Sequence, residues 1–327
     1  MSTAADSSSA LPEPSRDSPE NLSRKGGLPA PDTDTSPLAD VEVFSRDLPV
    51  SAQRSVLTYQ GGIGPESGRL TGAADIVATE YALTVYVNDN ELATIVCTPE
   101  HMDELVIGFL ASEGVIRNLQ QVQSVTIHST SGSARVVTTH VVNFNQAFYN
   151  KRYIASCCGK SRQTFYFYND AHTAKRVDDD LTLTPDEVLA AVNHMEEEAT
   201  LFKDTGGVHI ASLHLADGTV VSRSDIGRHN ALDKLFGYTL RNGVNLSGAF
   251  ISFSGRLSSE VLLKVAKIGV GIVVARSAPT ALALDIAEEL RITTVGFVRD
   301  DRFNVYTHPH RIERNDVSNR SRPDSPR

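Results

Sequence analysis

The chain has 327 residues, of which 40% are hydrophobic and 22% charged, proportions typical of a globular protein with one large or two modest domains. A net charge of −9 and the absence of tryptophan argue against a nucleic-acid-binding protein, which needs a basic surface or aromatic stacking platforms. The sequence contains no apolar run that could span a bilayer and no signal-peptide pattern. Its three cysteines form no disulfide framework, so we expect a cytoplasmic protein without membrane or nucleic-acid partners.

The first half of the chain begins with a polar segment and continues with alternating apolar patterns. Residues 1–50 are rich in Ser, Pro, Asp and Ala, and they are predicted to be a disordered tail because they bury too little apolar surface to offset the entropy of ordering. Alternation in residues 82–87 and 91–97 predicts a β-hairpin, with Cys97 in the core at its end. Thr98 is the expected N-cap of the following amphipathic helix. Two further strands are predicted at residues 122–128 and 135–144.

Two adjacent cysteines, Cys157 and Cys158, lie in a polar, basic stretch of the sequence. Neighbouring cysteines cannot form an ordinary relaxed disulfide, and only Cys97 is left to pair with them. Nearby cations lower the pKa of a thiol and Gly159 permits a positive φ, so the pattern is typical of an exposed loop with a reactive thiolate. The alternative is a pair of small, partly buried structural cysteines. Zinc is not expected here, because a tetrahedral site needs spaced ligands.

In the second half of the chain, short apolar runs alternate with helical patterns. Thr184 and Glu187 form a capping box at the start of a helix predicted over residues 185–202. The β–α–β order that follows predicts a parallel sheet with right-handed crossovers. The predicted strands are residues 210–215, 219–222, 249–254, 271–275, 293–298 and 303–306. The predicted helices between them are residues 230–236, 258–267 and 280–290.

Four polar turns in this half lie at strand ends or helix starts, at residues 205–209, 224–230, 254–259 and 276–280. Ligands of open α/β sheets gather at the carboxyl ends of the strands, and a helix start offers free N–H groups that suit phosphate. Three turns carry an arginine, Arg228, Arg256 or Arg276, which favours an anionic ligand over plain helix capping. His209 and His229 are candidates for ligands, acid/base groups or hydrogen-bonded structural residues.

Several motifs follow one another in chain order, at residues 85–88, 98–100, 104–114, 206–209, 225–234, 254–256, 277–280, 296–299 and 304–309. As a series these motifs are highly specific. Over roughly residues 55–312 the chain resembles the formate dehydrogenase accessory sulfurtransferase family (FdhD type).

The resemblance implies an architecture of two domains and a homodimer. Residues 51–175 are expected to form an N-terminal α+β domain that carries the cysteine loop. Residues 176–314 are expected to form an α/β domain, with a three-layer fold similar to cytidine deaminases but without their zinc site. Residues 1–50 and 315–327 are predicted to be disordered tails outside both domains.

The resemblance also implies a function, that of a sulfur carrier and sulfurtransferase. Sulfur is taken as a persulfide from a cysteine desulfurase and passed to the molybdenum of Mo-bis(molybdopterin guanine dinucleotide), the cofactor that formate dehydrogenase requires. The predicted anion-binding turns suit a ligand with several phosphates, and a GDP-like nucleotide is the expected analogue. The alternative is a binding-only chaperone that protects and inserts the molybdenum cofactor. A cysteine hydrolase would need a base placed on the thiol.

The cysteine motif departs from the family pattern. Many members carry Ser-Cys-Gly-x-Cys-Gly, whereas residues 156–161 of this chain are Ser-Cys-Cys-Gly-Lys-Ser. Matching Cys-Gly places Cys158 on the first family cysteine, and matching Ser-Cys places Cys157 there. Because the second cysteine is missing either way, we predict a relay on one cysteine, with Cys158 preferred and Cys157 as a neighbour. The predicted cofactor-binding residues are Gly207, His209, Arg228, His229, Arg256, Ser277, Phe297, Val298, Arg299, Asp300, Asp301 and Arg302.

Overall fold

The computed structural model describes residues 41–44, 48–62, 64, 68–139, 152–154, 174 and 176–314. The strands of the first half are β1 (Val41–Phe44), β2 (Ser51–Tyr59), β3 (Leu70–Ala78), β4 (Tyr81–Val87), β5 (Asn90–Cys97), β6 (Val122–His128), β7 (Ser133–Thr138) and β8 (Arg152–Ile154). Strands β2 and β3 pair with each other as a two-stranded ribbon. The other six form the first sheet in the order β1–β6–β7–β4–β5–β8.

The predicted hairpin in the first sheet is confirmed. Strands β4 and β5 pair in antiparallel fashion, and Cys97 at the end of β5 is buried. The two turn residues Asn88 and Asp89 both have positive φ, 46° and 64°. Such turns match the right-handed twist of the strands, and Asn and Asp tolerate this backbone conformation better than most residues.

The following helix, α1 (Met102–Ser112), begins later than the sequence predicts. His101 occupies the N-cap position with φ 51°, whereas the predicted cap, Thr98, lies four residues before the helix. Thr98 is fully buried, and its N–H and hydroxyl groups are bonded to residues 225 and 226 of the second half. The prediction fails because a tertiary contact uses the side chain that local sequence assigns to the helix.

Strand β1 differs from the expectation that residues 1–50 lack secondary structure. It pairs in parallel with β6, with Val41 opposite Val125. A four-residue edge strand is too short to stand out against its polar surroundings, and its pairing supplies most of its stability. The predicted domain boundary near residue 175 stays a prediction. The described residues on both sides of this position belong to one compact unit.

The strands of the second half are β9 (His209–His214), β10 (Val220–Asp225), β11 (Phe250–Phe253), β12 (Ile272–Ala275), β13 (Thr293–Arg299) and β14 (Arg302–Thr307). They form the second sheet in the order β10–β9–β11–β12–β13–β14. In this sheet the β11–β12 and β12–β13 pairs are parallel. The β10–β9, β9–β11 and β13–β14 pairs are antiparallel. The expected parallel sheet is therefore the centre of a mixed one.

The further helices are α2 (Pro185–Glu198), α3 (Thr200–Thr205), α4 (Arg228–Arg241), α5 (Ser259–Ile268) and α6 (Ala281–Leu290), with short 3-10 turns at Leu119–Gln121 and Pro309–Arg311. The capping box at the start of α2 is present, but the predicted helix over residues 185–202 breaks at Ala199. Across the described parts of the chain, no helix is both long and apolar enough to cross a membrane. The result is a mixed α+β fold.

The apolar cores place helices on both faces of the second sheet. One continuous core runs from the first sheet through α1 and α4 to one sheet face, where α5 and α6 also pack. A smaller core joins the opposite face to α2. Helices α1 and α4 cross in close contact at two glycines. A Cβ on Gly108 would lie 1.7 Å from the Asp233 carbonyl oxygen, and one on Gly237 would lie 1.9 Å from that of Glu104. This crossing fixes the start of α4, where the site described next is built.

Candidate functional site

One edge of the second sheet collects the predicted ligand-binding residues. The parallel strands β11, β12 and β13 all end at this edge, and β9 starts there because it runs antiparallel to β11. Strand β10 ends beside the start of β9, where Asp225 pairs with His209, and the β13–β14 turn closes at the same edge. The predicted residues along this edge are Gly207, His209, Arg228, His229, Arg256, Ser277 and residues 297–302.

The turn after β12 contacts the end of β13. The N–H of Phe297 donates to the Ser277 carbonyl oxygen at 3.2 Å, and the Ser277 hydroxyl donates to the Ser254 carbonyl oxygen at 3.1 Å. A Cβ on Gly296 would lie 3.1 Å from the same Ser277 oxygen, so the glycine permits this close approach. Three chain segments that are distant in sequence are thereby held together at one place.

Phe297 presents an aromatic ring at this edge from an unusual backbone conformation. Its φ is 54° and its side chain is 44% exposed. A bulky residue in the left-handed region costs about 1–3 kcal/mol, and such strain is concentrated at functional sites. The adjacent Val298 is buried in the smaller core, and Arg299 donates to the carbonyl oxygen of Arg276 at 2.6 Å. The exposed polar members of the edge are Arg256, Asp300, Asp301 and Arg302.

Three helices start at the same edge without a side-chain cap. The cap residues of α4, α5 and α6 are Gly227, Ser258 and Thr280, and none makes a side-chain capping bond. Within the described residues, Arg228 Nε and Ser258 Oγ are buried without a hydrogen-bond partner. Buried polar atoms are nearly always bonded, so these two, beside free helix N–H groups, suit an anionic ligand. Ser258 lies in a predicted turn but was missing from the predicted binding residues.

His229 lies between an acidic and a basic neighbour. Its Nε2 atom is 3.2 Å from Glu260 Oε2, without the alignment of a hydrogen bond. Burial, together with the positive charges of Lys264 and Arg228, lowers the pKa of His229 to about 3. Burial, with Arg228, also lowers the pKa of His209. We favour this direction over the effect of Glu260, because that carboxylate is itself about one-third exposed. Both rings are therefore neutral at pH 7.

The lowered pKa of His229 predicts that the chain becomes less stable as the pH drops below about 6.5, the ordinary pKa of histidine in the unfolded chain. The neutral His229 ring makes its full contribution to the free energy of unfolding above pH 6.5, and this contribution is lost as the pH falls towards 3. We expect His229→Asn to reduce the loss between pH 7 and pH 4 by on the order of 3 kcal/mol. The free energy of unfolding is measured by urea unfolding at several pH values. His310→Asn, an exposed control, is expected to behave as the wild type, and an unchanged slope in His229→Asn would contradict the assignment.

A buried ion pair connects this edge to the first sheet. The carboxylate of Asp225 accepts hydrogen bonds from the N–H groups of Thr98 at 3.0 Å and Gly227 at 2.8 Å. It also accepts one from Asn230 Nδ2 at 2.8 Å. Lys234 Nζ lies 2.8 Å from the other carboxylate oxygen, and both charged side chains are 0% exposed. We call Thr98, Asp225, Asn230 and Lys234 the Asp225 network.

The Asp225 network also binds the backbone that follows β5. Asn230 Nδ2 donates to the Val96 carbonyl oxygen at 2.9 Å, and Lys234 Nζ donates to that of Thr98 at 3.2 Å. The Thr98 hydroxyl accepts from the N–H of Ile226 at 3.1 Å. Sequence reasoning missed this role. The available signal is Lys234, a charged residue that lies four positions after Asn230 and between the apolar residues Leu232 and Leu235.

Cys157 and Cys158 lie outside the residues that the structure describes. The strand before them, β8, pairs in parallel with β5, with Ile154 opposite Ile95. Strand β8 therefore ends beside Ile95, three residues before Thr98 of the Asp225 network.

Cys97 is a core residue, as predicted. It is fully buried, and burial raises the pKa of its thiol to about 12, with a further contribution from the charge of Asp225. A protonated thiol is a poor nucleophile, so Cys97 is not a candidate for sulfur chemistry. In the described ranges of the chain, no three His, Cys, Asp or Glu side chains are grouped as metal ligands.

The fold and site define an α+β protein of two six-stranded sheets and a two-stranded ribbon, with arginines, histidines and helix starts gathered at one edge of the second sheet. The FdhD/NarQ family model matches residues 78–313, and the chain belongs to this family. It is 55% identical over 239 residues to the sulfur carrier protein FdhD of Halalkalibacterium halodurans, covering 73% of this chain and 88% of the relative. It is 50% identical over 263 residues to the Bacillus subtilis protein of the same name, covering 80% and 98%.

A solved structure is similar in fold. It is a crystal structure described as a formate dehydrogenase accessory protein from Desulfotalea psychrophila. The TM-score is 0.65 at 24% sequence identity, and the match covers 81% of this chain and 100% of the other.

Proposed function

We propose that this chain is a sulfur carrier and sulfurtransferase. It moves persulfide sulfur from a cysteine desulfurase to the molybdenum of Mo-bis(molybdopterin guanine dinucleotide), the cofactor that formate dehydrogenase requires. Family membership and the sulfur carrier names of the relatives support the proposal. Cys158 carries the sulfur, with Cys157 as its neighbour, and the cofactor binds as cargo at the edge of the second sheet.

The observation that carries the proposal is the short connection between the end of β8, which precedes Cys158 in the chain, and the edge of the second sheet. Asp225, three residues before Arg228, binds the N–H of Thr98, and Thr98 follows the strand that β8 accompanies. Cys158 comes four residues after Ile154, so the extended chain keeps it within roughly 14 Å of the end of β8. Sulfur transfer to a phosphate-bearing cargo requires a thiol within reach of the site that holds the phosphates, and this chain length allows such a reach.

The loading step is a thiol exchange. The Cys158 thiolate attacks the terminal sulfur of the desulfurase persulfide, a new S–S bond forms, the donor S–S bond breaks, and the donor leaves as a thiolate. In the unloading step the terminal sulfur passes to molybdenum and Cys158 leaves as a thiolate, while the metal supplies the two electrons that convert this sulfur to sulfide. Lys160 and Arg162, close in sequence, favour the thiolate form.

The residues at the sheet edge fit the nucleotide parts of the cargo. Phosphate oxygens suit the starts of α4 and α5, where Arg228 Nε and Ser258 Oγ are buried without partners among the described residues. The exposed ring of Phe297 is available to stack on a guanine base. His209 and His229, both neutral at pH 7, supply hydrogen bonds without adding charge.

The proposal includes the setting in which the chain works. We infer a cytoplasmic homodimer that meets a cysteine desulfurase and formate dehydrogenase in turn. We also infer that residues 176–314 correspond to the cytidine-deaminase-like domain of the family resemblance. Helices on both faces of the second sheet agree with a three-layer domain.

Persulfide detection separates sulfur transfer from the binding-only alternative. The purified chain is incubated with a cysteine desulfurase and cysteine, and its mass is measured without reductant. We expect a gain of one sulfur atom on the peptide that contains Cys158, reversed by a thiol reductant. No gain, together with intact nucleotide binding, would favour a chaperone that only binds and inserts the cofactor.

GDP is expected to raise the melting temperature, because a ligand that binds only the folded chain stabilises it by mass action. Arg228→Gln should weaken GDP binding roughly tenfold to a hundredfold, the equivalent of one charge-assisted hydrogen bond. Arg135→Gln, which changes an exposed arginine of the first sheet, is the matched control. The measurement is a thermal melt across a GDP titration. The site would be excluded if GDP raised the melting temperature of Arg228→Gln as much as that of the wild type. It would also be excluded if millimolar GDP left the melting temperature of the wild type unchanged.

A further inference from the structure

Two pairs of polar side chains join α4 to α5, one helical turn apart. His229 and Glu260 are the second residues of their helices, and Asp233 and Lys264 follow four positions later on each. His229 Nε2 is 3.2 Å from Glu260 Oε2, and Lys264 Nζ is 2.5 Å from Asp233 Oδ1. Since residues four apart share one face of a helix, the two pairs lie one behind the other along the interface between α4 and α5.

The two pairs differ in their exposure. The His229–Glu260 pair lies at the edge of the second sheet, and both side chains are partly exposed. The Asp233–Lys264 pair lies deeper, where 3% and 13% of the two side chains are exposed. The Ser112 hydroxyl, at the end of α1, donates to the same Asp233 oxygen at 2.6 Å. The Asp233 carboxylate is therefore held from two helices, and it fixes the position of the Lys264 ammonium group.

The charge of Lys264 acts on the His229 ring from one turn away. Side chains four apart on a helix have their Cβ atoms about 5–6 Å apart, and a like charge at such a distance in a partly buried place disfavours a second one. A proton on His229 would bring a second positive charge close to Lys264 and Arg228. The ring therefore stays uncharged, in agreement with its lowered pKa.

We propose that Asp233 and Lys264 are positioning residues for the ligand edge: the fixed Lys264 charge keeps the His229 ring uncharged and makes phosphate binding independent of pH between about 6 and 8. This inference rests on the proposed binding of a phosphate-bearing cargo at this edge. An unrestrained histidine beside phosphates would gain its charge within that range, and the affinity would then rise as the pH falls. An uncharged ring contributes a hydrogen bond at every pH in the range.

The other charged groups around His229 are consistent with this assignment. Glu260 is the one that favours a charged ring, but its carboxylate is about one-third exposed, so water screens its effect. In the described part of the chain, the charged and titratable groups near the ring are His209 at the start of β9, Arg228 and Asp233 of α4, and Glu260 and Lys264 of α5.

The first test needs no nucleotide. The histidine rings of the full-length chain are titrated by NMR, and the His229 signal is assigned from its absence in His229→Asn. We expect Lys264→Met to raise the pKa of His229 by about 1–3, because it removes a neighbouring like charge. Lys264→Arg keeps the charge and should leave this pKa low. Lys267→Met, which changes a lysine of the same helix that donates to the Ser112 carbonyl oxygen, is the matched control.

The second test is the affinity for GDP, measured by titration calorimetry at about pH 5.5 and about pH 8. Dividing the affinity of each variant by that of the wild type at the same pH cancels the ionisation of the nucleotide itself. For Lys264→Met this ratio should be roughly tenfold higher at the lower pH, the equivalent of one charge-assisted hydrogen bond. For Lys264→Arg and Lys267→Met it should be the same at both pH values. Adding His229→Asn to Lys264→Met should remove the pH dependence.

The proposal is wrong if Lys264→Met leaves the pKa of His229 unchanged, or if its affinity ratio is equal at both pH values. Either result leaves GDP binding and sulfur transfer standing. A wild type that binds no GDP removes the proposed ligand and this inference with it, whereas persulfide loading is measured separately.

A second variant covers a loss of folding. If Lys264→Met does not fold, Asp233→Asn, Lys264→Met takes its place with the same expected results, because it leaves no unpaired carboxylate at this position. If this double variant is also unfolded, the pair serves only the fold, and the proposal is wrong.

Discussion

Replacing Cys158 with alanine is expected to abolish the formation of active formate dehydrogenase in cells that depend on this chain. Alanine removes the proposed nucleophile, and a substitution in the polar, exposed loop that the sequence predicts here usually costs little stability, so the fold should be retained. Formate dehydrogenase activity is measured in a strain that lacks the gene and carries the variant. We expect activity at the level of the uncomplemented strain, with an unchanged melting temperature for the purified protein.

Cys157→Ala is the matched control, because it removes the neighbouring thiol and keeps Cys158. We expect it to complement and to accept sulfur from the desulfurase. Full complementation by Cys158→Ala, with Cys157→Ala inactive, would assign the persulfide to Cys157. Complementation by both single variants and by the double variant would rule out a persulfide relay on this loop, while leaving GDP binding at the sheet edge as a separate question.

Lys234→Met is expected to lower the free energy of unfolding by about 3–5 kcal/mol, because it leaves the Asp225 carboxylate buried without its counter-charge. Methionine keeps most of the side-chain volume, so the change removes charge rather than packing. The measurement is urea unfolding at pH 7. In the double variant Asp225→Asn, Lys234→Met the network holds no buried charge, and part of the lost stability should return.

Lys203→Met is the control for this substitution. Lys203 is exposed and donates one bond to the Glu197 carbonyl oxygen, so its replacement should cost less than about 1 kcal/mol. If Lys234→Met is as stable as this control, the buried pair contributes little to the native state. A double variant less stable than Lys234→Met would show that the hydrogen bonds of Asp225 matter more than its charge.

Features set by neighbouring residues could be predicted from the sequence. The capping box of Thr184 and Glu187 and the hairpin turn at Asn88 and Asp89 are local, and both are present. The gathering of the candidate binding residues at one sheet edge could also be predicted, because parallel strands bring their carboxyl ends together whatever the loops between them do. His209 and Ser277 are examples, since each lies beside a strand that reaches this edge.

Contacts between distant parts of the chain could not be predicted in the same way. The sequence marks Thr98 as a helix cap, but Asp225 and Ile226 bind it first, and no local pattern contains that information. The break at Ala199 and the bonding of the Arg299 guanidinium to Arg276 also depend on tertiary surroundings. The predictions for Cys157 and Cys158 stay predictions, because these residues lie outside the described structure.

The Asp225 network also affects the order in which the chain can fold. The bond between Thr98 and Asp225 joins residues 127 positions apart, and Lys234 reaches back 136 positions to the same residue. Contacts over such separations form late, because the entropy of closing the intervening chain must be overcome before they stabilise anything. During synthesis, the apolar face of α1 has no α4 to pack against until the second half has left the ribosome. The nascent first half therefore exposes this apolar surface until the second half of the chain is available to cover it.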